Sequence, residues 1–276
     1  MRKGISLFNL DNSQAIMTND KNYSIKQFEK AELEHLKYFT NFLSEEISLF
    51  EKNINFQSFI LNGCLTIFNI YPYSDVDSIV LQAHIKSVYL LYNAHKLTLQ
   101  GNQGIAKSLF RQIFEYQLIC KYFHSQNSEA EAKKWLENRD FNVNSMIWKK
   151  LEKPSKKNLS DFWRLLCTQA HATTTACQVY SDIDSNQVEI QTGYHMILML
   201  TCLESHSLGF LCQRKNITRL KRLIGNELYS ELTDCRRELE EVVKLTMSLF
   251  SEEGKALIND YRNKWTFRQS DKDGII

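Results

Sequence analysis

The sequence predicts an all-α protein, an irregular bundle of roughly eight helices. Three observations predict it. Only two prolines and nine glycines interrupt 276 residues, so few points punctuate the chain. Apolar residues recur at three- and four-residue spacing over long stretches, the period of a helix with one buried face. No convincing run of alternating apolar and polar residues marks a strand. The expected organisation is a polar lead-in over 1–23, one helical domain over 24–268, and a loose tail over 269–276.

Ser24, with Gln27 three residues on, forms a capping-box pattern that opens a first long helix ending near Asn53. Its stripe of Phe28, Leu33, Leu36, Phe39, Phe42, Leu43, Ile47 and Phe50 lies opposite a Lys/Glu face. A second helix covers Phe56 to Ile70 and stops at Pro72. Ser74 and Asp75 offer caps for a third, which runs to about Gln100 and breaks at Gly101-Asn-Gln-Gly104. The short break predicts that the next helix, Ile105 to His124, is antiparallel to it. Asn127 and Ser128 can cap a Lys/Glu-rich helix that carries Trp135, Phe141, Met146 and Trp148 and ends at Pro154. Asn158 or Ser160 then starts the helix bearing Arg164 and His171. A polar loop follows to about Gln187, then an apolar helix from Val188 to Cys212, and further helices over Asn216 to Phe250 and Glu252 to Trp265.

Hydrophobic residues make up 43% and charged residues 24%, the balance of a soluble globular domain. A formal net charge of +2 implies neither nucleic acid nor membrane through bulk electrostatics, so any basic footprint must be local. The seven cysteines contain no CxxC pair and sit among apolar residues, which reads as core filling in a reduced, cytoplasmic protein. Asp11 interrupts the opening apolar run too early for a secretory signal. Glu204, His195 and His206 argue against a membrane span between Tyr194 and Cys212. No zinc spacing, phosphate loop or nucleophile elbow is present, so no metal and no cofactor are expected.

Two polar pairs at helical spacing carry the functional reading. In Trp163-Arg-Leu-Leu-Cys-Thr-Gln-Ala-His171, Arg164 and His171 are seven residues apart, which places them within about 20° of one another on a helix, roughly 10 Å apart. A guanidinium and an imidazole on one stripe suit phosphate orientation and proton transfer. Arg111 and Glu115 stand four residues apart among Phe110, Ile113 and Phe114. They read either as an ion pair closing the bundle or as the lining of a pocket shared with Arg164 and His171. Thr168 and Thr173 are candidates to hold the imidazole or a phosphate oxygen. Glu32-Leu-Glu-His35 matches the di-iron Glu-x-x-His pattern only once, on what reads as a charged face.

Local basic clusters add candidate phosphate contacts. Lys149, Lys150, Lys156 and Lys157 precede the Arg164 helix, while Arg219 and Arg222 belong to a second cluster with Arg214, Lys215 and Lys221. Arg262-Asn-Lys-Trp-Thr-Phe-Arg268 places aromatic rings between cations.

Arg164-x6-His171 resembles the Arg-x(4–6)-His signature of the HEPN superfamily, all-α nucleotide-binding domains of many bacterial toxins and defence nucleases. The resemblance implies metal-independent RNA cleavage, usually across a dimer, with Arg164 holding phosphate and His171 moving a proton. The position after the arginine is commonly polar in that superfamily, and here it is Leu165. The segment from about Tyr89 to Thr175, with Ala106-Lys-Ser-Leu-Phe-Arg-Gln-Ile-Phe-Glu115 and Phe162-Trp-Arg-Leu-Leu-Cys-Thr-Gln-Ala-His171, is also similar to an uncharacterised bacterial all-α family of unknown function. The expected function is RNA binding or metal-independent RNA cleavage in a toxin or phage-defence setting, with the RNA 2′-hydroxyl as nucleophile. RNA, a second copy of the chain and a protein encoded nearby are the partners this reading implies, with no membrane. The alternative is a non-catalytic helical module, a scaffold, sensor or antitoxin that binds a protein or small ligand.

Overall fold

The computed structural model describes residues 25–126, 128–137, 147–170 and 214–247, together with Glu252, Lys255, Ala256 and Asn259. Eight α-helices and one 3-10 turn account for nearly all of these residues, and no β-strand occurs among them. The all-α expectation holds for this part of the chain. The predicted elements at Ser24, between Val188 and Cys212, and around Trp265 lie outside the described residues.

Helix α1 (Ile25–Phe42) and helix α2 (Ser44–Ile70) meet at Leu43. The predicted boundary near Asn53 is absent: Asn53 is buried inside α2, and its side-chain amide donates to the Leu49 carbonyl one turn back. The polar residue at the expected boundary is thus satisfied within the helix. At Leu43 the backbone turns while helical hydrogen bonds continue on both sides, from Leu43 N to Phe39 O and from Ile47 N to Leu43 O. Pro72 ends α2 as expected, because the residue before a proline is pushed to extended backbone, and Tyr71 sits at φ −120°, ψ 146°.

Helix α3 (Asp75–Leu99) opens on a capping box, in which Ser74 Oγ accepts from Asp77 N and Asp77 Oδ2 accepts from Ser74 N, each at 3.1 Å. It closes on a Schellman motif, with Asn102 N donating to Leu97 O and Gly101 N to Thr98 O. Gly101 occupies the left-handed region at φ 82° that this motif requires. The His35 ring of α1 packs directly on it. Helix α4 (Gln103–Gln126) returns antiparallel along α3, since Cys120 near its end donates to the Val80 carbonyl near the start of α3.

Helix α5 (Glu129–Glu137) begins with Ser128 Oγ accepting from Glu131 N. A 3-10 turn (Trp148–Lys150) then leads into helix α6 (Lys153–Ala170). Pro154 therefore lies in the first turn of α6 rather than ending the preceding helix, and α6 starts well before Asn158. First-turn amides have no intrahelical acceptor, so a proline there costs nothing and its fixed φ favours the helix. Helices α7 (Arg214–Ile224) and α8 (Asn226–Met247) both pack on α2, and Lys52 of α2 pairs with Glu238 of α8.

The helices α2, α3, α4 and α6 stand side by side, with α1 against α2 and α3 and with α5 against α3. Their shared core includes Phe39, Phe50, Leu91, Phe114, Leu118, Phe123 and Phe162, all essentially inaccessible. Cys64 and Cys120 fill this core as free thiols, and burial pushes both up to about 12. They are inert packing groups at neutral pH.

Candidate functional site

Helix α6 presents two chemically different faces. The inner face turns Phe162, Trp163 and Leu166 toward α4 and the 3-10 turn. Phe114 meets Phe162 edge-on at 5.5 Å, and Trp163 stacks on Trp148 at 5.2 Å between ring centroids. This aromatic wedge fixes the rotation of α6 about its own axis, because four large side chains interlock only one way.

The Arg111–Glu115 pair borders the same seam. Arg111 Nε donates to Glu115 Oε1 at 3.1 Å, and both side chains are about three-quarters buried, at 24% and 27% exposure. The Arg111 guanidinium also lies 5.6 Å from the centre of the Trp163 ring. Cys167, one turn beyond Trp163, is held above its ordinary pKa by burial, with the Glu115 charge raising it and the Arg111 charge lowering it. Lys107, one turn before Arg111, is pushed below its ordinary value by burial. The ion-pair reading therefore describes what Arg111 and Glu115 do here: they seal the rim of the α4–α6 packing.

Arg164 lies on the outer face. Its side chain is 79% exposed, and it pairs with Asp161 on its own helix at 2.9 Å. An internal pocket shared by Arg164 and the Arg111–Glu115 pair is not what the fold builds, because Trp163, not Arg164, turns to Arg111. Thr168 lies in the last turn of α6, while His171 and Thr173 are outside the described residues.

The lysines separate in the same way. Lys149, Lys153 and Lys157 are exposed, and Lys156 is half-buried. Lys150 is instead a structural cation: its ammonium donates to Glu131 and, at 2.7 Å, to the Tyr122 hydroxyl, which in turn donates to Glu131. Burial alone would raise the Glu131 carboxyl, but hydrogen bonds from Lys150 and Tyr122 outweigh it and hold the group below its ordinary range. Burial and the Glu131 bond push the Tyr122 phenol up. A cation committed to this triad is a poor phosphate contact, which corrects the expectation for Lys150.

Arg219 and Arg222 belong to α7, which packs on α2 rather than beside α6. They do not extend the α6 stripe. Lys153, absent from the predicted contacts, joins it because α6 starts earlier than its sequence suggested.

The Glu32/His35 pattern is not a ligand pair. His35 is fully buried, stacked on Phe39 at 5.9 Å and pressed against Gly101, while Glu32 accepts from the Asn102 amide at 2.9 Å. Among the described residues no group of three or more His, Cys, Asp or Glu side chains has metal-site geometry, and no helix is long and apolar enough to cross a membrane.

On its outer face α6 can offer an exposed guanidinium and a row of ammonium groups to an anionic polymer. Comparison of the chain with protein-family models, with curated proteins and with solved structures found no match.

Proposed function

We propose that the protein binds RNA along the outer face of α6 and that His171 supplies the proton transfer for metal-independent cleavage beside Arg164. The observation that carries this reading is the solvent-facing row on one helix. At about 100° per residue, Lys153, Lys157, Ser160 and Arg164 fall within an arc of roughly 60°. Lys149 stands exposed just before the helix. The Arg164–Asp161 pair is exposed and close in sequence, so it contributes little stability. A phosphate can displace Asp161 and take a two-pronged contact from the guanidinium. Arg164 then holds the phosphate, His171 acts as base or acid on the 2′-hydroxyl, and the lysines follow the backbone. The toxin or phage-defence setting, a second copy of the chain, and a partner encoded nearby belong to this proposal through the HEPN-like motif alone.

The test is metal-free cleavage and binding of mixed cellular RNA in EDTA by the parent chain, beside Arg164→Ala, His171→Ala and Lys153→Glu/Lys157→Glu. The lysine reversals weaken binding and flatten its salt dependence. His171→Ala keeps binding and loses cleavage, and Arg164→Ala weakens both. A parent protein that neither binds nor cleaves RNA at micromolar concentration refutes the proposal.

A second reading, a non-catalytic binding module, is favoured by a groove of about 420 Å³ between α2 and α3, lined by Ile54, Leu61, Val88, Tyr89 and Tyr92 with Asn55 and Asn62 on one wall. Its size is that of a small-ligand site.

A further inference from the structure

We infer that α7 and the end of α2 form a peripheral docking face for an anionic lipid surface, separate from the α6 row. One contact joins the two helices, and helical register extends the face along α7. The Arg219 guanidinium lies 4.7 Å from the centre of the Tyr71 ring, joining α7 to the end of α2. Arg222 and Leu223 follow Arg219 by three and four residues, so all three share one face of α7. Next to Tyr71 in the chain are Ile70 at 61% exposure and Tyr73 at 55%, and Leu223 is 45% exposed. Cations stand among exposed apolar side chains here, and none of these positions is an acid. Such a helix lies flat at a bilayer surface, its apolar side chains entering the headgroup region and its arginines meeting anionic lipid.

Charge alone would suit RNA equally, and the apolar groups decide between them. Tyr73 stacks on Phe68 at 4.8 Å, and one face of Tyr71 is covered by Arg219. Both rings have thus already used a stacking face, whereas a single-strand binding platform leaves its ring faces open to bases. Ile70 and Leu223 offer neither a hydrogen bond nor a charge to a base or a phosphate. An exposed isoleucine and leucine beside tyrosines at a polar boundary are the components of a membrane-interface contact.

Flotation of the full chain with vesicles tests this, using phosphatidylcholine alone and phosphatidylcholine with about a third phosphatidylserine. The expected result is flotation with the anionic vesicles only, weakening as salt rises. Arg219→Glu/Arg222→Glu reduces the bound fraction about tenfold or more, and Leu223→Asp and Ile70→Ser, each changing a single exposed side chain, reduce it independently. Circular dichroism confirms that the variants are folded, and Ile70→Ser serves if the α7 variants are not. No flotation with anionic vesicles overturns the inference, as does flotation that none of the folded variants alters. RNA binding by the parent that Arg219→Glu/Arg222→Glu abolishes also overturns it, and assigns the face to nucleic acid.

Discussion

His95 makes the stability of this fold depend on pH in a way that can be isolated. The side chain is 5% exposed on α3, its ring lies 4.2 Å from that of Phe50 and nearly parallel to it, and Nε2 is buried with no hydrogen-bond partner. Burial pushes its pKa down to about 4 from an ordinary 6.5. Because the folded value is depressed, the unfolded chain binds the proton first as pH falls. The stability contribution is fully present above pH 6.5 and is lost between there and about 4. With each pKa unit equivalent to about 1.4 kcal/mol, moving from about pH 7.5 to about pH 4.5 removes about 2–3 kcal/mol through this residue alone. His35 and His124 are lowered by burial as well and add to the slope, so the test is a difference between proteins. Urea unfolding followed by circular dichroism at both pH values gives the loss for the parent and for His95→Gln, whose side chain does not titrate. The variant is expected to be less stable at neutral pH, having lost the stack on Phe50, yet to lose about 2–3 kcal/mol less over the same interval. Parallel pH profiles for the two proteins refute the reasoning.

Gly101→Ala is expected to cost about 2–3 kcal/mol, since φ is 82° and the added methyl meets the buried His35 ring at about 3.2 Å, whereas Gly225→Ala, at φ 84° with open space around it, costs about 1 kcal/mol; urea midpoints of the two variants check the difference. Arg111→Ala leaves the three-quarters-buried Glu115 without this pair and removes the cover from Trp163, an expected loss of about 1–2 kcal/mol in urea unfolding with RNA affinity unchanged. Lys150→Met is expected to lower stability by about 1–2 kcal/mol and to flatten acid unfolding. The depressed Glu131 carboxyl stabilises the fold above its unfolded pKa and loses that contribution as pH falls through its folded value. Phe162→Ala opens a cavity under Phe114 and Trp163 and is expected to cost about 3–5 kcal/mol, read from the thermal midpoint.

The polar pairs show how unevenly the site was legible. Arg111 and Glu115 stood out because charged residues four apart on an apolar helix must pair or act, and the spacing alone announced the bond that forms. Arg164 stood out for its spacing to His171, but nothing local revealed that it faces solvent while its neighbour Trp163 faces α4. Tyr122 and Glu131 carried no visible signal, since their link to Lys150 crosses from two helices to a 3-10 turn. His35 was misplaced on a charged face because its flanking Glu32 and Glu34 are charged, yet it is the side chain on which Gly101 closes.

The sequence by itself determined the elements whose causes are local. Pro72, the Ser74/Asp77 box and Gly101 set helix ends through backbone geometry and hydrogen bonds spanning three to five residues, and the apolar spacing made the elements helical. It also misplaced two helix ends, at Asn53 and Pro154, residues that lie inside a helix and in the first turn of one. Only the tertiary structure decided which cations are exposed and which imidazoles are buried. A helix fixes the angles between its own side chains but not the direction in which any of them meets a neighbour, and that rotation comes from the packing of Phe114, Trp148, Phe162 and Trp163, residues brought together from distant parts of the chain.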